Sequence, residues 1–596
     1  MKLSKLYSND HRKFSQILFR TGLNVVLADI RCLDDINKDT HDLGKTTLGR
    51  LLDFCLIKGK QKDFFLFANK AFESFVFFLE AELFDGRYLT IRRSVETASK
   101  IALMLHDSPH QDFSEYPEES WTHWNVAYDK AKTVVDGILD FRTVSPFGFR
   151  DGIIQFSRLQ GEFQEIFNRK FSKGKDIDWK PFVARILGLN CENIKEHYEI
   201  KAEIESKKQE QKTLASQSED IGKISGKMAL LQKEQAELQN ERDGFDFSNE
   251  DKRRIEEAVR VVGSEIDRAN KQLYFLEMAL QKIINSLQEE KQVLNPEQIE
   301  KIYKEAIGFF PEQIKTDYER LVQFNRSITA ERNEYLRKEK GSIQSEINVL
   351  NYNRQLLAEK QSNLLSFLKD ANIFDKYKQL GDRLRDVEVQ LGKLEYQKEL
   401  ASQGEVLAKK IKEIESKCEV IASQIKADIK YVQEHQTSLF SDVRSNFSTI
   451  IKKILDRKAI LSISTNSENN VEFDASFFDD ADSKTQEDLG KTYRHLLCIA
   501  FDLSVAVSHI SERFPRVIFH DGVFEGQDVR KRELLRDIYR EYGAKGLQVI
   551  VTTISSDLFS PDSEKGPQND FFENDEVILR LHDDGEDGRL FKMPKW

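Results

Sequence analysis

The sequence predicts an α/β domain assembled from the two ends of the chain, with a long antiparallel coiled-coil arm inserted between them. A phosphate-loop motif, Leu43-Gly44-Lys45-Thr46-Thr47, lies near the start of the 596-residue chain. An apolar strand that ends in an aspartate, Val517-Ile518-Phe519-His520-Asp521, lies near its end, and heptad stretches fill the middle. The two distant halves can form one site only if the middle folds back on itself.

The first motif has the local setting that a phosphate-binding loop needs. Gly22–Ala28 is short and apolar and predicts a buried strand, and the leucines after Thr46 recur at helical spacing. In such a strand–loop–helix unit the lysine reaches the β- and γ-phosphates, and the threonine hydroxyl ligates Mg²⁺. The usual first glycine of the motif is absent, because Asp39 holds its position. We predict a nucleotide site on Gly44, Lys45, Thr46 and Thr47.

The segments around the arm predict the rest of the α/β domain. Between Phe64 and Met104, aromatic and β-branched residues alternate around Asp85-Gly86-Arg87, which predicts a hairpin on an antiparallel sheet. Near the other end, strands at 517–520 and 547–552 flank a helix at 529–542 and predict a βαβ unit. Asp521 at the end of its strand can hold a water on Mg²⁺ opposite Thr46. The alternative is a strand-ending aspartate in a turn.

The middle of the chain predicts two coiled-coil strands of one hairpin. Breaks near 244–249 and 370–375 mirror each other about a centre near Gly308-Phe309-Phe310-Pro311, as an antiparallel hairpin requires. At about 1.5 Å per residue, each arm would reach roughly 130 to 150 Å. A compact bundle of the same helices is the alternative. One seam of the predicted coiled coil consists of Ile255, Val259, Val262, Ile266, Ala269, Leu273, Leu276, Leu280, Ile283 and Leu287.

The amino-acid composition limits which partners and which cell compartment we expect for this protein. The net charge of -11 argues against a generally basic nucleic-acid coat, although local patches such as Arg92-Arg93 could touch phosphate or simply be solvated surface. The five cysteines form no Cys-x-x-Cys pair, which argues against a disulfide framework, a thiolate zinc site or a zinc hook at the apex. No apolar run approaches the length of a membrane span. We therefore expect a cytoplasmic protein without a membrane partner.

Together these motifs resemble SMC-like ABC ATPases of the RecN/SMC type, in which a head made from N- and C-terminal lobes carries a coiled-coil arm. The resemblance implies an ABC-type P-loop NTPase head with ATP and Mg²⁺ as cofactors. Several segments look like the short SMC-like ATPases of bacterial defence operons, including Lamassu-type and ABC three-component systems. These segments are Gly22–Val26, the run from Gly44–Leu48 to Leu52–Cys55, Ile302–Glu305, Phe324-Asn325, Asn333–Leu336 and His520–Gly522, with Phe524, Gly526, Asp528 and Arg530.

The resemblance also implies a division of the chain and a set of partners. The divisions are an N-terminal lobe (1–190), an ascending arm (191–295), an apex (296–324), a descending arm (325–440) and a C-terminal lobe with a signature-like helix, a Walker B strand and a D-loop (441–596). The implied partners are a second head, double-stranded DNA, a nuclease effector and an accessory subunit. By this likeness the protein would sense foreign DNA and control the effector through ATP-dependent head engagement, in defence against phage or plasmids.

Several site residues come from the resemblance alone. Asp528 matches the D-loop aspartate, and Thr553 stands where a switch histidine is often found. Gln155 is assigned as the Q-loop residue and a Mg²⁺ ligand, with Gln160 in competition. Gly490 could present the N-terminus of the signature-like helix to a partner's γ-phosphate, although Asp488 nearby would repel it.

The hydrolytic half of the predicted site departs from the family. The glutamate that polarises the attacking water usually follows the strand-ending aspartate, and here that position is Gly522. Glu525 and His520 are the nearby substitutes, with Asp521 as the remaining catalytic candidate. We expect a weak ATPase, or one that needs a partner. The alternatives are a DNA repair or recombination ATPase and a coiled-coil scaffold that binds nucleotide without hydrolysing it.

Overall fold

The computed structural model describes residues 1–31, 43–168, 174–217, 220–245, 250–293, 312–366, 371–478, 490–558 and 571–594. Asp39 of the phosphate loop, Asp488 and the predicted arm centre near 308–311 lie outside these ranges. The chain divides into two compact units. The first consists chiefly of Met1–Lys201 and Lys417–Trp596, and the second of Ala202–Phe310 and Ile314–Ser416. Residues from both ends of the chain therefore belong to one unit.

The strands within the described ranges are β1 (Lys2–Ser8), β2 (Ile17–Leu18), β3 (Gly22–Asp29), β4 (Val76–Glu82), β5 (Tyr88–Ser94), β6 (Lys100–His106), β7 (His123–Ala127), β8 (Ser157–Arg158), β9 (Lys458–Thr465), β10 (Val471–Phe478), β11 (Val517–Asp521), β12 (Gln548–Ile554) and β13 (Val577–His582). The helices of the first unit are α1 (Lys45–Cys55), α2 (Phe65–Ala68), α3 (Tyr128–Leu139), α4 (Phe149–Gln155), α5 (Asp176–Ile186), α11 (Leu439–Leu455), α12 (Lys491–Ser508) and α13 (Val529–Ala544). The long helices are α6 (Cys191–Gln217), α7 (Ile221–Asp243), α8 (Glu250–Val293), α9 (Glu312–Ser366) and α10 (Ala371–Glu434). None of the helices in the described ranges combines the length and the apolarity that a bilayer span requires.

A parallel sheet joins the two ends of the chain. Its strand order is β13-β3-β12-β11-β8, so β3 from the start of the chain lies between two strands from its end. The register pairs Gly22 with Gln548 and Ala28 with Ile554. The strands β3, β11 and β12 are almost wholly buried, as expected of parallel strands covered on both faces. The sheet cannot form from either end of the chain alone.

Helix α1 packs closely on this sheet through a glycine. A β-carbon at Gly49 would lie 2.5 Å from Cε1 of Phe519 and 2.8 Å from Cδ2 of Leu159. No real side chain tolerates such contacts without movement of its neighbours, so glycine lets the helix approach β11. The close approach sets the N-terminus of α1 beside the end of β11.

A second, antiparallel sheet follows the order β2-β1-β4-β5-β6-β7. Its β4–β5 hairpin pairs Glu82 with Tyr88 across the predicted turn at Asp85-Gly86-Arg87, and Gly86 has φ +84°, which favours glycine. One face of this sheet contributes Phe77 and Leu79 to the hydrophobic core that it shares with the parallel sheet. The two sheets therefore form one packed body in the first unit.

The inner helices of the second unit pair as a coiled coil. Near the far end of α7, the side chain of Gln235 donates to Glu388 of α10 at 3.4 Å, and Arg383 lies 3.6 Å from Glu234. Earlier along the chain, Lys208 of α6 meets Glu415 at 2.7 Å, so the two strands run antiparallel. The seam between α7 and α10 consists of Ile224, Met228, Leu238, Leu384, Val387, Leu391 and Leu394.

Helix α8 does not continue beyond α7, as a single extended hairpin would require, but lies back against α7 and α10. Arg242 of α7 donates to Asp267 of α8 at 3.0 Å. A β-carbon at Gly392 of α10 would lie 2.7 Å from the ring of Tyr274, so this glycine makes room for the aromatic side chain. Further along, Lys282 lies 4.7 Å from the ring centroid of Tyr396. The contacts advance together along both helices, so α8 runs parallel to α10.

Helix α9 accompanies α8 in the opposite direction. Val259 packs with Leu365 near the start of α8, and a β-carbon at Gly263 would lie 3.6 Å from the amide of Gln361. The described part of the second unit is thus a folded arm, nearer to the compact bundle than to an extended hairpin. The heptad pattern predicts which face of each helix is buried in a coiled-coil seam. It does not predict that a second face of α8 packs against α10.

Candidate functional site

The N-terminus of α1 and the end of β11 meet in the first unit. Gly44 precedes the helix with φ +106°, a left-handed conformation that suits glycine, and its carbonyl accepts from the N–H of Leu48 at 2.9 Å. The hydroxyl of Thr46 donates to Oδ2 of Asp521 at 2.5 Å, across a separation of 475 residues. Lys45 and Thr47 flank this threonine at the start of α1 and are half-buried. The structure therefore brings together the two halves of the predicted site.

Thr552, a neighbour that no sequence motif identifies, holds the side chain of Asp521 in place. The Asp521 side chain is 1% exposed, and its Oδ1 accepts a hydrogen bond from the hydroxyl of Thr552. The same hydroxyl accepts from the N–H of Gly522 at 3.0 Å. Thr552 lies opposite Asp521 in the register of the parallel strands β11 and β12. The ends of these two predicted strands were the signal in the sequence that could have identified Thr552. The carboxylate is held in one orientation toward α1.

These residues suit a Mg²⁺–nucleotide complex. A threonine hydroxyl and a carboxylate in contact are hard oxygen donors, which Mg²⁺ prefers, directly or through water. The N-terminus of an 11-residue helix presents backbone N–H groups and a positive dipole end, which favour phosphate. Thr46 and Asp521 would hold the metal, and Gly44, Lys45 and Thr47 would line the phosphate side. When bound, the metal supplies charge neutralisation to the phosphates.

Beside Asp521, Glu525 meets a glutamine from the N-terminal half of the chain. Gln160 follows β8, and its side-chain amide donates to Oε2 of Glu525. Gly522 lies between them with φ +71°, and a β-carbon there would lie 3.4 Å from Cγ of Gln160 and 3.6 Å from Oε2 of Glu525. Gln155 lies at the end of α4, where its side chain is 6% exposed and Nε2 has no hydrogen-bond partner within the described residues. The hydrogen bonds of the described residues thus join Gln160 to Glu525, in the turn that follows Asp521.

His520 points away from this group, into a buried polar network. Its Nδ1 lies 2.9 Å from the hydroxyl of Tyr539, and its Nε2 lies 3.1 Å from Oδ2 of Asp502. Arg158 donates to Oδ1 of the same aspartate at 2.9 Å. All four side chains are fully buried. His520 is therefore engaged on both ring nitrogens, on the strand face opposite Asp521.

The network is held together by charge. Burial alone would lower the pKa of Arg158, but the Asp502 carboxylate outweighs it and the pKa is raised. The guanidinium also donates to the carbonyls of Glu162 and Ile166, in the loop after Gln160. Burial, with repulsion from the neighbouring His520 and Arg158, lowers the pKa of His495 to about 3. The network links the Gln160 loop, α12, β11 and α13, and sequence reasoning missed Arg158, Asp502 and Tyr539, which carry no motif.

The remaining predicted residues occupy helix ends and a strand. Gly490 directly precedes α12, and its carbonyl accepts from Arg494 at 2.9 Å. Asp528 caps α13, accepting from the N–H of Arg530 at 3.0 Å, and is exposed. Thr553 is buried near the end of β12, one residue beyond Thr552. Within the described residues, none of these three makes a hydrogen bond to Thr46 or Asp521.

One protein family and one relative that match this chain are both described as uncharacterised. Residues 450–595 match a family model described as an uncharacterised protein conserved in bacteria (DUF2326). The uncharacterized protein YydD of Bacillus subtilis (strain 168) is 22% identical over 395 residues, which is 63% of this chain and 62% of that protein. The alignment thus spans less than two thirds of the relative. The family match includes Asp521, Glu525, Thr552 and the chain beyond them.

Among solved structures, SMC head domains align over nearly the whole chain. A Pyrococcus yayanosii Smc head with a coiled coil and joint aligns with a TM-score of 0.34 and 13% identity, covering 94% of this chain and 93% of that one. A Pyrococcus furiosus Smc head with an extended coiled coil, bound to the C-terminal domain of ScpA, gives 0.35 and 11%, covering 94% and 90%. An Smc head bound to the C-winged helix domain of ScpA gives 0.36 and 9%, covering 94% and 91%.

Proposed function

We propose that this protein is an SMC-like ATP-binding subunit whose head binds MgATP at the contact between α1 and β11. The observation that carries the proposal is the 2.5 Å hydrogen bond between Thr46 and Asp521, which unites a phosphate-loop threonine with a strand-ending carboxylate 475 residues away. Such a pair is the arrangement that P-loop NTPases use to hold Mg²⁺. The long helical insert between the two halves is a second support.

We further infer that the site hydrolyses ATP slowly. The position after Asp521 is Gly522, so the usual water-polarising glutamate is absent there. Glu525 reaches the same neighbourhood, where Gln160 donates to its carboxylate. A carboxylate in that place can accept a proton from an attacking water, and Gln160 can orient both. His520 is not suited to this task, because Asp502 and Tyr539 engage both of its ring nitrogens.

The wider role is proposed by analogy with the family. Two heads would engage around ATP, double-stranded DNA would be sensed, and a nuclease effector with an accessory subunit would be controlled in defence against phage or plasmids. Exposed Asp528 at the start of α13 is compatible with contact across such a dimer. A protein of this architecture could also serve DNA repair.

A non-hydrolysing scaffold is the second candidate, and Gly522 specifically favours it. In that case the head would bind MgATP through Thr46 and Asp521 and would release it unchanged. Turnover of bound ATP, measured with and without DNA and candidate partner subunits, separates the two functions. Hydrolysis that is absent under all these conditions, with binding intact, would establish the scaffold.

The binding site is tested with Lys45→Ala and Asp521→Ala in the full chain. Each should weaken MgATP binding by on the order of 100-fold or more, because each removes a charge from the phosphate or metal site. The matched controls are Lys130→Ala and Asp129→Ala, which are exposed on α3 and should bind as wild type. Equal affinity of all five proteins in a fluorescent-nucleotide titration would overturn the proposed site.

A further inference from the structure

Residues 583–593, the C-terminal segment, contact Arg31, which follows β3, and Leu43 and Gly44, which precede α1. Strand β13 ends beside β3, where His582 pairs with Asp29. Directly after it, Oδ1 of Asp583 accepts from the N–H of Arg31 at 2.6 Å. Asp583 is only 8% exposed, so this hydrogen bond is shielded from water. Arg31 is the last described residue before the loop.

The segment then reaches the start of α1. The N–H of Leu590 donates to the carbonyl of Leu43 at 3.0 Å. A β-carbon at Gly44 would lie 2.6 Å from Cβ of Leu590, so only glycine fits here. Gly44 needs glycine also for its φ of +106°. The residue that turns the backbone into α1 is therefore pressed directly against the C-terminal segment.

Beyond Leu590 the segment is anchored in the core of the first unit. Phe591 is 2% exposed, and its ring centroid lies 4.9 Å from that of Phe72 and 5.3 Å from that of Phe14. The N–H of Lys592 donates to the carbonyl of Lys13 at 2.9 Å. Because buried aromatic pairs resist displacement, the segment is a rigid support rather than a loose tail.

We propose that Asp583 and Leu590 are positioning residues of the nucleotide site, through which the C-terminal segment sets the affinity for MgATP. This inference rests on the proposed ATP binding. A helix N-terminus binds phosphate tightly only when it is held in shape before the ligand arrives. Neither residue needs to touch the nucleotide, because Leu590 holds Leu43 and Gly44 at the start of α1 and Asp583 holds Arg31 just after β3.

The test uses the full chain with Asp583→Ala, which removes the acceptor for the Arg31 N–H, and Leu590→Ala, which removes the Cγ and Cδ atoms packed beside Gly44. Each should raise the Kd for MgATP about 5- to 10-fold, the effect of one lost hydrogen bond or packing contact. The KM for ATP should rise similarly while kcat stays unchanged. Asp583→Asn, which keeps the acceptor oxygen, and Leu590→Met, which keeps the apolar contact, should restore binding to near the wild-type value.

Two controls separate positioning from general destabilisation. Asp584→Ala removes the adjacent, exposed carboxylate and should bind as wild type. Leu103→Ala removes a fully buried side chain from β6 and should lower the Tm without changing the Kd. The inference is wrong if Asp583→Ala and Leu590→Ala bind MgATP with wild-type affinity, or if Leu103→Ala weakens binding equally. Either result leaves the proposed function standing. A wild-type protein that does not bind MgATP would overturn the proposed function and this inference with it.

Discussion

At the residue scale, the short turn after Asp521 places Glu525 beside Gln160. Gly522 and Gly526 have φ values of +71° and +69°, so the backbone reverses in the turn that carries Glu525. The reversal returns the carboxylate of Glu525 to Gln160. A glutamate displaced by three positions along the sequence thus lies near the end of β11.

We predict that Glu525→Gln lowers kcat for ATP hydrolysis on the order of 100-fold with little change in KM, because the amide cannot accept the proton of water. Steady-state phosphate release measures both constants. Glu533→Gln, an exposed glutamate on α13, is the matched control and should hydrolyse as wild type. If the two variants have equal kcat, Glu525 is not the base.

Gly49 gives a prediction about packing. Alanine is the better helix former by roughly 1 kcal/mol, but its β-carbon would lie 2.5 Å from the buried ring of Phe519. Overpacking typically costs about 1–3 kcal/mol, so Gly49→Ala should lower the free energy of unfolding. Gly137→Ala is the matched control, since this exposed helical glycine has no atom within 4 Å of its added carbon. The urea midpoint should fall for Gly49→Ala and hold or rise for Gly137→Ala.

At the element scale, the Arg158–Asp502–His520–Tyr539 network joins four elements that local sequence signals place separately. Arg158 holds the loop after Gln160, while Asp502 comes from α12 and His520 precedes Asp521 on β11. The network therefore connects α12 to the Gln160 loop and to β11 through buried, charged contacts.

We predict that Asp502→Ala destabilises the first unit by roughly 3–5 kcal/mol, because it leaves the Arg158 guanidinium buried without its counter-charge. The double variant Arg158→Met with Asp502→Leu should recover much of that loss, since it removes both charges. Glu199→Ala breaks an exposed pair with Lys195 in the first unit and should leave the unfolding midpoint unchanged. A single variant as stable as the wild type would show that the pair does not hold the elements together.

The elements themselves were largely predictable, because each has a local signal. Apolar runs marked β3, β11 and β12, and heptads marked the long helices. Strand β8 was missed since its two residues, Ser157 and Arg158, are too few for any periodicity. Within the site, Thr46 and Asp521 were predicted together, whereas Asp502 and Tyr539 are polar residues inside helices, where only the folded partner reveals a role.

At the scale of the whole molecule, the second unit differs most from the sequence expectation. Coiled-coil periodicity predicts one seam per helix, which places α7 beside α10 and α8 beside α9. It cannot predict that α8 also packs on α10, because that contact depends on single residues such as Gly392 and Tyr274. The packing of α8 against α10 therefore depends on tertiary contacts that heptad periodicity does not predict.

We predict that a short bismaleimide links Lys282→Cys to Tyr396→Cys within one chain, because the two native side chains are in contact. In a fully extended hairpin the same positions would be about 90 Å apart, at roughly 1.5 Å per residue. Lys282→Cys with Lys409→Cys, some turns further along α10, should not link. Mass spectrometry of the linked peptides identifies the pair, and absence of the first link would mean that the arm is extended in solution.

The strand order of the parallel sheet has a consequence for how the protein is made. Strand β3 is synthesised before both of its neighbours, β12 and β13, which follow the whole helical insert along the chain. Until they are made, this apolar strand has two open edges, a state prone to aggregation unless a chaperone shields it. A polypeptide that stops before β12 therefore cannot form this sheet.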